Sequence, residues 1–145
     1  MKIYIASSWK NKKLDEVVRV LRAAGHDVYD FREGDGAFHW SDVDPNYKGW
    51  TRAREFRDAL KHPLAVKGFE RDYSKMCGAD ACVLVLPSGR SSHSEAGWFA
   101  GRRIPVFVLL DGDQLEPELM YRMFKSVRIH ITEIVGDLND YANGK

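Results

Sequence analysis

The segment "DACVLVLP" at 80–87 constrains the fold of this chain more than any other, because it is apolar at nearly every position. A strand with one solvent-exposed face alternates polar and apolar side chains, whereas an uninterrupted apolar run indicates a strand buried on both faces. Such strands occur in parallel sheets that helices cover on both sides. The segment therefore predicts an α/β protein built on a central parallel sheet.

Short β-rich runs and amphipathic helical runs alternate along the rest of the chain. Further strands are predicted at 2–6, 26–31, 104–110 and 128–131. The predicted helices lie at 12–24, 50–61, 65–78, 94–102, 116–125 and 132–142, and a long loop is predicted at 32–49. This alternation predicts a single domain over 1–145 with a flavodoxin-like, doubly wound parallel sheet of five strands in the order 2-1-3-4-5 and helices on both faces.

Composition limits the classes of partner. The chain has 22 Lys and Arg against 21 Asp and Glu, so no basic surplus is available to bind a nucleic acid polymer. Cys77 and Cys82 lack the spacing of a redox or zinc pair and are expected to be free thiols in a reducing compartment. No signal peptide and no membrane-spanning run is recognisable. We therefore expect a cytoplasmic protein that uses no membrane, metal or cofactor.

Two loops mark the predicted binding crevice. Doubly wound sheets bind ligands beyond the carboxyl ends of the strands where the strand order reverses, here between the first and third strands. The loops at that point are "SSWKN" at 7–11 and "PSGRSSHSE" at 87–95. Serines and glycine before a helix N-terminus suit an anion, and Arg90 adds a guanidinium that pairs with phosphate or carboxylate.

Glu95, at the end of the second loop, has two interpretations. Ser92 and Glu95 fit the capping box S-x-x-E, in which the glutamate only fixes the start of a helix. Alternatively, Glu95 faces the crevice and reacts there. Gly97 and Gly101 follow and predict a helix face packed closely against the sheet. The local pattern alone favours the capping box.

The aromatic residues of the segment 37–50 also have two interpretations. Phe38, Trp40, Tyr47 and Trp50 occur there, and tryptophans are uncommon in disordered segments. They either pack over the sheet edge or at a subunit contact, or they provide a stacking platform for a planar ligand.

Several separate motifs together resemble the nucleoside 2-deoxyribosyltransferase-like superfamily, which includes 2'-deoxynucleoside 5'-phosphate N-hydrolases. The segment "KIYIASSW" at 2–9 is similar to the N-terminal signature of that superfamily. Asp72 and Asp80, spaced D-x7-D, precede an apolar strand and a Ser/Gly loop that runs into "SEAG" at 94–97, again as in the superfamily. The fold of the superfamily agrees with the predicted doubly wound sheet.

The resemblance implies roles for particular residues. Glu95 matches the nucleophile that attacks the anomeric C1' carbon and forms a glycosyl–enzyme intermediate. Asp72 matches the acid that protonates the departing base, and Tyr4 matches the tyrosine that orients the glutamate. Retaining glycoside cleavage of this kind needs two carboxyl groups in different protonation states. The residues expected to bind substrate are Ser8, Trp9, Lys10, Ser88, Gly89, Arg90, Ser91, Ser92 and Trp40.

One departure from the superfamily pattern bears on the substrate. Transferases of the superfamily carry an aspartate six residues before the nucleophile, which holds the free 5'-hydroxyl; this chain has Gly89 there and Arg90 beside it. The loss of an acid and the gain of a guanidinium favour a 5'-phosphate, to which Lys10 and Lys12 could contribute. The resemblance thus implies a small nucleoside or nucleotide substrate, hydrolysis rather than base transfer, and a homodimer or larger homo-oligomer.

Two other functions stay open at the level of sequence. The first is hydrolysis of NAD in the manner of Toll/interleukin-receptor-like domains, which also place a glutamate in a flavodoxin-like crevice. The second is a non-catalytic module that senses a nucleotide and in which Glu95 is only a capping residue.

Overall fold

The computed structural model describes residues 1–112 and 116–144. Five parallel strands form one sheet in the order β2-β1-β3-β4-β5. The strands are β1 (Lys2–Ala6), β2 (Asp27–Tyr29), β3 (Ala81–Leu86), β4 (Val106–Leu110) and β5 (Ser126–Arg128). The predicted α/β class and strand order are therefore confirmed.

Helices connect these strands. They are α1 (Leu14–Ala23), α2 (Trp40–Val43), α3 (Ala53–Ala59), α4 (Pro63–Cys77), α5 (Arg90–Gly101) and α6 (Ile131–Ala142), with short 3-10 helices at Tyr47–Gly49 and Leu119–Met123. Within the described ranges, no helix combines the length and the hydrophobicity that a bilayer-spanning helix needs.

The chain groups into two compact units. The sheet unit comprises Met1–Asp30 and Gly78–Lys145 and contains all five strands. The insert unit comprises Phe31–Cys77, between β2 and β3, and contains α2, α3 and α4. The prediction of one domain over 1–145 stays a prediction.

Burial of apolar side chains accounts for the sheet unit. All six residues of β3 are buried, as the uninterrupted apolar run predicts. In α1 the buried residues are spaced three and four apart and form one face of the helix: Leu14, Val17, Val18 and Leu21. Each large apolar side chain that is fully buried contributes roughly 1.5–3 kcal/mol relative to exposure, so this face holds α1 in the core.

Several element boundaries follow from local chemistry. Gly25 has a φ of 87° directly after α1, which is the left-handed conformation that glycine supplies at helix ends. Pro63 is the first residue of α4, where the missing amide proton costs no hydrogen bond.

An ion pair connects α6 to the last strand of the sheet. Arg128 of β5 donates two 2.8 Å hydrogen bonds to Asp137 of α6. These bonds lower the pKa of Asp137 below its ordinary value.

Four predictions about elements are wrong. The strand expected at 128–131 lies instead at Ser126–Arg128, because Ile131 already begins α6. The helix expected at 94–102 begins already at Arg90, because the hydroxyls of Ser92 and Ser94 donate to the carbonyls of Gly89 and Arg90 and so fit a helix interior. The helix expected at 116–125 is only the 3-10 helix Leu119–Met123. The loop expected at 32–49 contains α2 and the 3-10 helix Tyr47–Gly49.

Candidate functional site

The candidate site lies at the carboxyl ends of β1 and β3. These strands are parallel neighbours, with Tyr4 opposite Cys82 and Ala6 opposite Leu84. The chain passes from β1 to β2 on one side and returns to β3 on the other, so the strand order reverses between β1 and β3. In doubly wound sheets, ligands bind beyond the carboxyl ends of two such strands, between the loops that follow them. The structure thus confirms the placement of the two predicted loops.

Asn11 joins these two loops. It is not among the site residues predicted from the sequence. Its side chain is buried, and its Nδ2 lies 3.2 Å from Ser7 Oγ, 3.3 Å from the Val85 carbonyl and 3.2 Å from the Pro87 carbonyl. Its Oδ1 accepts a 2.9 Å hydrogen bond from the amide of Lys13. Buried polar groups of this kind are nearly always hydrogen-bonded. The only signal in the sequence is a polar amide directly after a buried strand.

The first loop presents polar and basic groups. Ser8 Oγ accepts a hydrogen bond of 3.2 Å from the Lys10 amide, and the Ser8 carbonyl accepts one of 2.9 Å from the Asn11 amide. Trp9 and Lys10 are exposed. Lys12 is exposed, and Lys13 Nζ lies 3.7 Å from Asp111 Oδ1.

The second loop leads into α5. Gly89 is the N-cap residue, with extended backbone, and Arg90 and Ser91 begin the helix with exposed side chains. Ser92 is buried and its hydroxyl donates to the Gly89 carbonyl. Within the described part of the chain, the buried Ser88 Oγ has no hydrogen-bond partner. The first amides of an α-helix have no partner within the helix, so this terminus suits an anion.

The ring of His93 also hydrogen-bonds the N-cap residue of α5. One ring nitrogen, Nδ1, lies 2.7 Å from the Gly89 carbonyl, and Nε2 lies 2.8 Å from the hydroxyl of Tyr121. Since a carbonyl only accepts, Nδ1 donates the first of these hydrogen bonds. Burial, with the smaller effect of the Glu118 charge, raises the pKa of Tyr121.

Glu95 is not a capping residue. It is the sixth residue of α5 and therefore lies in the second turn, whereas the cap is Gly89. The capping-box interpretation is wrong because Ser92 is already helical. Burial raises the pKa of the Cys82 thiol, and the negative charge of Glu95 raises it further. The half-buried Glu95 carboxylate thus lies within electrostatic reach of β3.

Tyr4 lies on the same face of the sheet. Residues opposite each other in parallel strands point to the same side, so Tyr4 and Cys82 share a face. The Tyr4 ring is buried and packs 5.5 Å from the rings of Tyr29 and Phe99. Phe99 follows Glu95 by one helical turn on the same side of α5. The structure therefore brings Glu95 and Tyr4 to one face of the sheet.

The two glycines of α5 do not serve close packing. A Cβ atom added at Gly97 or Gly101 would meet no atom within 4 Å outside the helix's own adjacent backbone. The prediction that these glycines allow a tight contact with the sheet is wrong, because the residues that face the sheet are Ser92, Ala96 and Phe99.

Asp72 and Trp40 lie in the insert unit, whereas the other predicted site residues lie in the sheet unit. Asp72 is in the interior of α4 as predicted, is partly buried, and its Oδ1 lies 4.0 Å from the Nη1 of Arg71. Arg71 also donates to the carbonyls of Phe31 and Glu33, and so fixes the first residues of the insert unit.

Trp40 belongs to an aromatic cluster within the insert unit. Its ring lies 4.8 Å from Phe38 and 6.1 Å from Trp50, both edge to face. Trp50 also contacts Tyr47 and Phe56 edge to face and donates a 2.7 Å hydrogen bond to Asp44. Edge-to-face pairs of this kind are typical of packed cores. This geometry supports mutual packing of the aromatics.

Among the described residues, no group of three or more His, Cys, Asp or Glu could hold a metal ion.

The fold is that of a doubly wound α/β protein, with an acidic residue on the helix that follows the third strand. No protein-family model matches the sequence, and no curated protein matches it. Three solved structures share the fold over almost their whole length. A 2-deoxyribosyltransferase from Bacillus psychrosaccharolyticus has a TM-score of 0.62 and 17% identity, and the match covers 93% of this chain and 90% of that one.

The other two structures come from different bacteria. A conserved protein from Enterococcus faecalis V583 has a TM-score of 0.61 and 14% identity, with coverage of 97% and 98%. The CMP N-glycosidase BcmB of Clostridium botulinum has a TM-score of 0.52 and 13% identity, with coverage of 96% and 99%. The chain thus has the fold of the nucleoside 2-deoxyribosyltransferase-like superfamily, in agreement with the resemblance of its motifs.

Proposed function

We propose that this protein is an enzyme that cleaves the N-glycosidic bond of a (deoxy)nucleoside or its 5'-monophosphate by double displacement through Glu95. The observation that carries the proposal is the position of Glu95. It lies in the second turn of α5, the helix that follows β3, where it has no capping role and its charge reaches the buried Cys82 on the sheet face that Tyr4 shares. Two structures of the same fold are a 2-deoxyribosyltransferase and a CMP N-glycosidase.

The proposed reaction has two steps. In the first, a Glu95 carboxylate oxygen attacks C1', the C1'–N bond breaks with its electron pair going to the base, and Asp72 supplies the proton that the base takes up. In the second, Asp72 removes a proton from water, the water oxygen attacks C1', and the ester bond to Glu95 breaks. Two inversions give net retention at C1'.

The protein environment supports Glu95 as the nucleophile. Tyr4 lies on the same sheet face, where its hydroxyl would orient the carboxylate. A nucleophile must be held in one direction if attack is to be efficient, and the buried ring of Tyr4 is fixed by Tyr29 and Phe99.

The start of α5 supports a phosphorylated substrate. The free amides of its first turn, the unpartnered Ser88 hydroxyl and the exposed Arg90 guanidinium all favour an anion. Gly89 stands where the transferases carry an acid, so no carboxylate at that position would repel a phosphate. We therefore propose a 5'-monophosphate substrate and water as the acceptor.

The test is base release from a panel of nucleosides, 5'-monophosphates and NAD, measured with and without a second base as acceptor. We expect free base from a 5'-monophosphate, and a decrease in kcat of about 1,000-fold or more in Glu95→Gln. Glu16→Gln, which changes an exposed glutamate of α1, should retain full activity.

Other outcomes overturn parts of the proposal or all of it. Base exchange without hydrolysis would assign a transferase, and release of nicotinamide from NAD alone would assign the NAD-cleaving alternative. Tight nucleotide binding without turnover would favour the sensing module. Equal activity in wild type and Glu95→Gln would exclude Glu95 as the nucleophile.

A further inference from the structure

A tyrosine between β4 and β5 contacts the helix that follows β3. Tyr121 lies in the 3-10 helix Leu119–Met123. Its hydroxyl lies 2.8 Å from Nε2 of His93, the fourth residue of α5, although the two residues are 28 apart in sequence. Their rings are nearly parallel, with centroids 5.8 Å apart and an interplanar angle of 19°. The segment between β4 and β5 therefore reaches the start of α5, at the carboxyl end of β3.

The carbonyl of Gly89 is the second partner of His93. The Nδ1 of the histidine donates a 2.7 Å hydrogen bond to this oxygen. The hydroxyl of Ser92 donates to the same oxygen at 2.9 Å, and the backbone amide of His93 donates at 3.3 Å. Glycine has more conformational freedom than any other residue. Two side chains thus fix a carbonyl whose own backbone restrains it weakly.

The direction of the Gly89 carbonyl sets the direction of the first amide of α5. The peptide group between Gly89 and Arg90 is planar and trans, so its N–H points away from its C=O. Because the carbonyl points along the helix towards His93, the Arg90 amide points out of the helix N-terminus. The amides of the first turn have no partner within the helix and suit an anion. A rotation of the Gly89 carbonyl would therefore turn a donor away from a bound phosphate.

Tyr121 is held where it meets His93. Its ring stacks on Phe124 at 6.0 Å with an interplanar angle of 28°, and its backbone amide donates a 3.3 Å hydrogen bond to the carbonyl of Glu118. Burial, and to a smaller extent the charge of Glu118, raise the pKa of the Tyr121 hydroxyl above its ordinary value. The hydroxyl is therefore protonated near neutral pH and keeps its hydrogen bond with the histidine.

We propose that Tyr121 is a positioning residue for the phosphate end of the substrate. Through His93 it fixes the Gly89 carbonyl, and hence the Arg90 amide, in the direction that binds a 5'-phosphate. It acts through the histidine and is not itself a ligand of the phosphate. The inference rests on the proposed function for the identity of the ligand, and it adds the segment between β4 and β5 to the two loops at the switch point as a determinant of affinity.

The first test measures the binding of inorganic phosphate by NMR, from the shift of the Arg90 amide signal, and needs no turnover. We expect the dissociation constant to increase about 5–10-fold in Tyr121→Phe, which keeps the ring and removes the hydroxyl. The matched control is Tyr141→Phe, at an exposed tyrosine of α6, which should bind phosphate like wild type. A wild type that binds no phosphate at Arg90, or an unchanged constant in Tyr121→Phe, would overturn the proposal.

The second test asks whether Tyr121 acts through His93. The variant His93→Ala should increase the dissociation constant of phosphate by about 10-fold. Adding Tyr121→Phe to His93→Ala should cause no further increase, because two residues that act through one hydrogen-bonded chain are coupled. Effects that multiply in the double variant would contradict the route through the histidine. Circular dichroism melting of each variant shows whether it is folded.

Kinetics separate this inference from the proposed function. Tyr121→Phe should raise KM for a 5'-monophosphate about 5–10-fold and leave its kcat unchanged, since the lost interaction serves binding. The value of kcat/KM for the free nucleoside should stay the same. A lower kcat with an unchanged KM would overturn the positioning role. Failure to release base from any nucleotide, together with a phosphate affinity that still depends on Tyr121, would overturn the proposed function alone.

Discussion

The side-chain nitrogen of Asn11 lies 3.2 Å from the carbonyl oxygen of Pro87 and joins the loop after β1 to the segment after β3. The same amide group reaches the carbonyl of Val85 and the hydroxyl of Ser7. A single buried side chain therefore connects the two loops at the switch point. The positions of these loops depend on these hydrogen bonds in addition to the strands themselves.

Replacing Asn11 by alanine should reduce the free energy of unfolding by about 2 kcal/mol, because the buried carbonyl of Val85, the carbonyl of Pro87 and the amide of Lys13 each lose a hydrogen bond. Urea denaturation measures the change. Asn139→Ala, at an exposed position of α6, is the control and should not be destabilised. A melting curve of Asn11→Ala that matches wild type would contradict the linking role.

Replacing Arg90 by alanine should lower kcat/KM for a 5'-monophosphate by about 10–100-fold, since a charge-assisted hydrogen bond contributes about 1.5–3 kcal/mol. Activity on the free nucleoside should change little, because it has no phosphate to pair with the guanidinium. Kinetics on the matched substrate pair check this expectation, with Arg90→Lys as the variant that keeps the charge. An equal loss on both substrates would assign Arg90 another role.

Replacing Gly68 by alanine should destabilise the protein by about 1–3 kcal/mol. The added Cβ would lie 2.7 Å from Cβ and 2.9 Å from Cγ of Phe38, so the aromatic cluster would have to move. Gly136→Ala in α6 is the matched control, because its Cβ meets no atom within 4 Å outside the adjacent backbone. The control should gain up to about 1 kcal/mol from helix propensity, so thermal melting should shift in opposite directions for the two variants.

Stability should fall on the acid side of neutrality because of His26. Burial, and to a smaller extent the N-terminal amino group, lower the pKa of His26 below 6.5. The unfolded chain therefore binds the proton at a higher pH than the folded chain does. The contribution to stability is fully present above pH 6.5 and is lost as the pH falls through the pKa of the folded state.

The variant His26→Phe removes this titration and should flatten the pH dependence of the free energy of unfolding below pH 6.5. His39→Phe changes an exposed histidine and should retain the wild-type slope. Urea denaturation at a series of pH values distinguishes them. A wild type whose stability does not change across this range would contradict the prediction.

The strands of the sheet and their order could be predicted from the sequence, because the hydrophobic patterns that indicate them are local. The apolar run of β3 requires burial on both faces, and the alternation with helices leaves few arrangements of parallel strands. The start of α5 could not be predicted in the same way. Ser92 is equally suited to a cap and to a helix interior, where its hydroxyl bonds the preceding carbonyl. Only the path of the chain after Pro87 decides between them.

The sequence by itself determined the α/β class, the strand order, and the two loops at the switch point, because hydrophobic periodicity and topology rules act along the chain. The tertiary structure decided that Glu95 lies in a second helical turn, that Asn11 connects the two loops, and that Tyr121 meets His93. The connection through Asn11 depends on groups that meet across 76 residues of sequence. Such contacts leave no periodic signal, since they form only once the core has brought distant strands together.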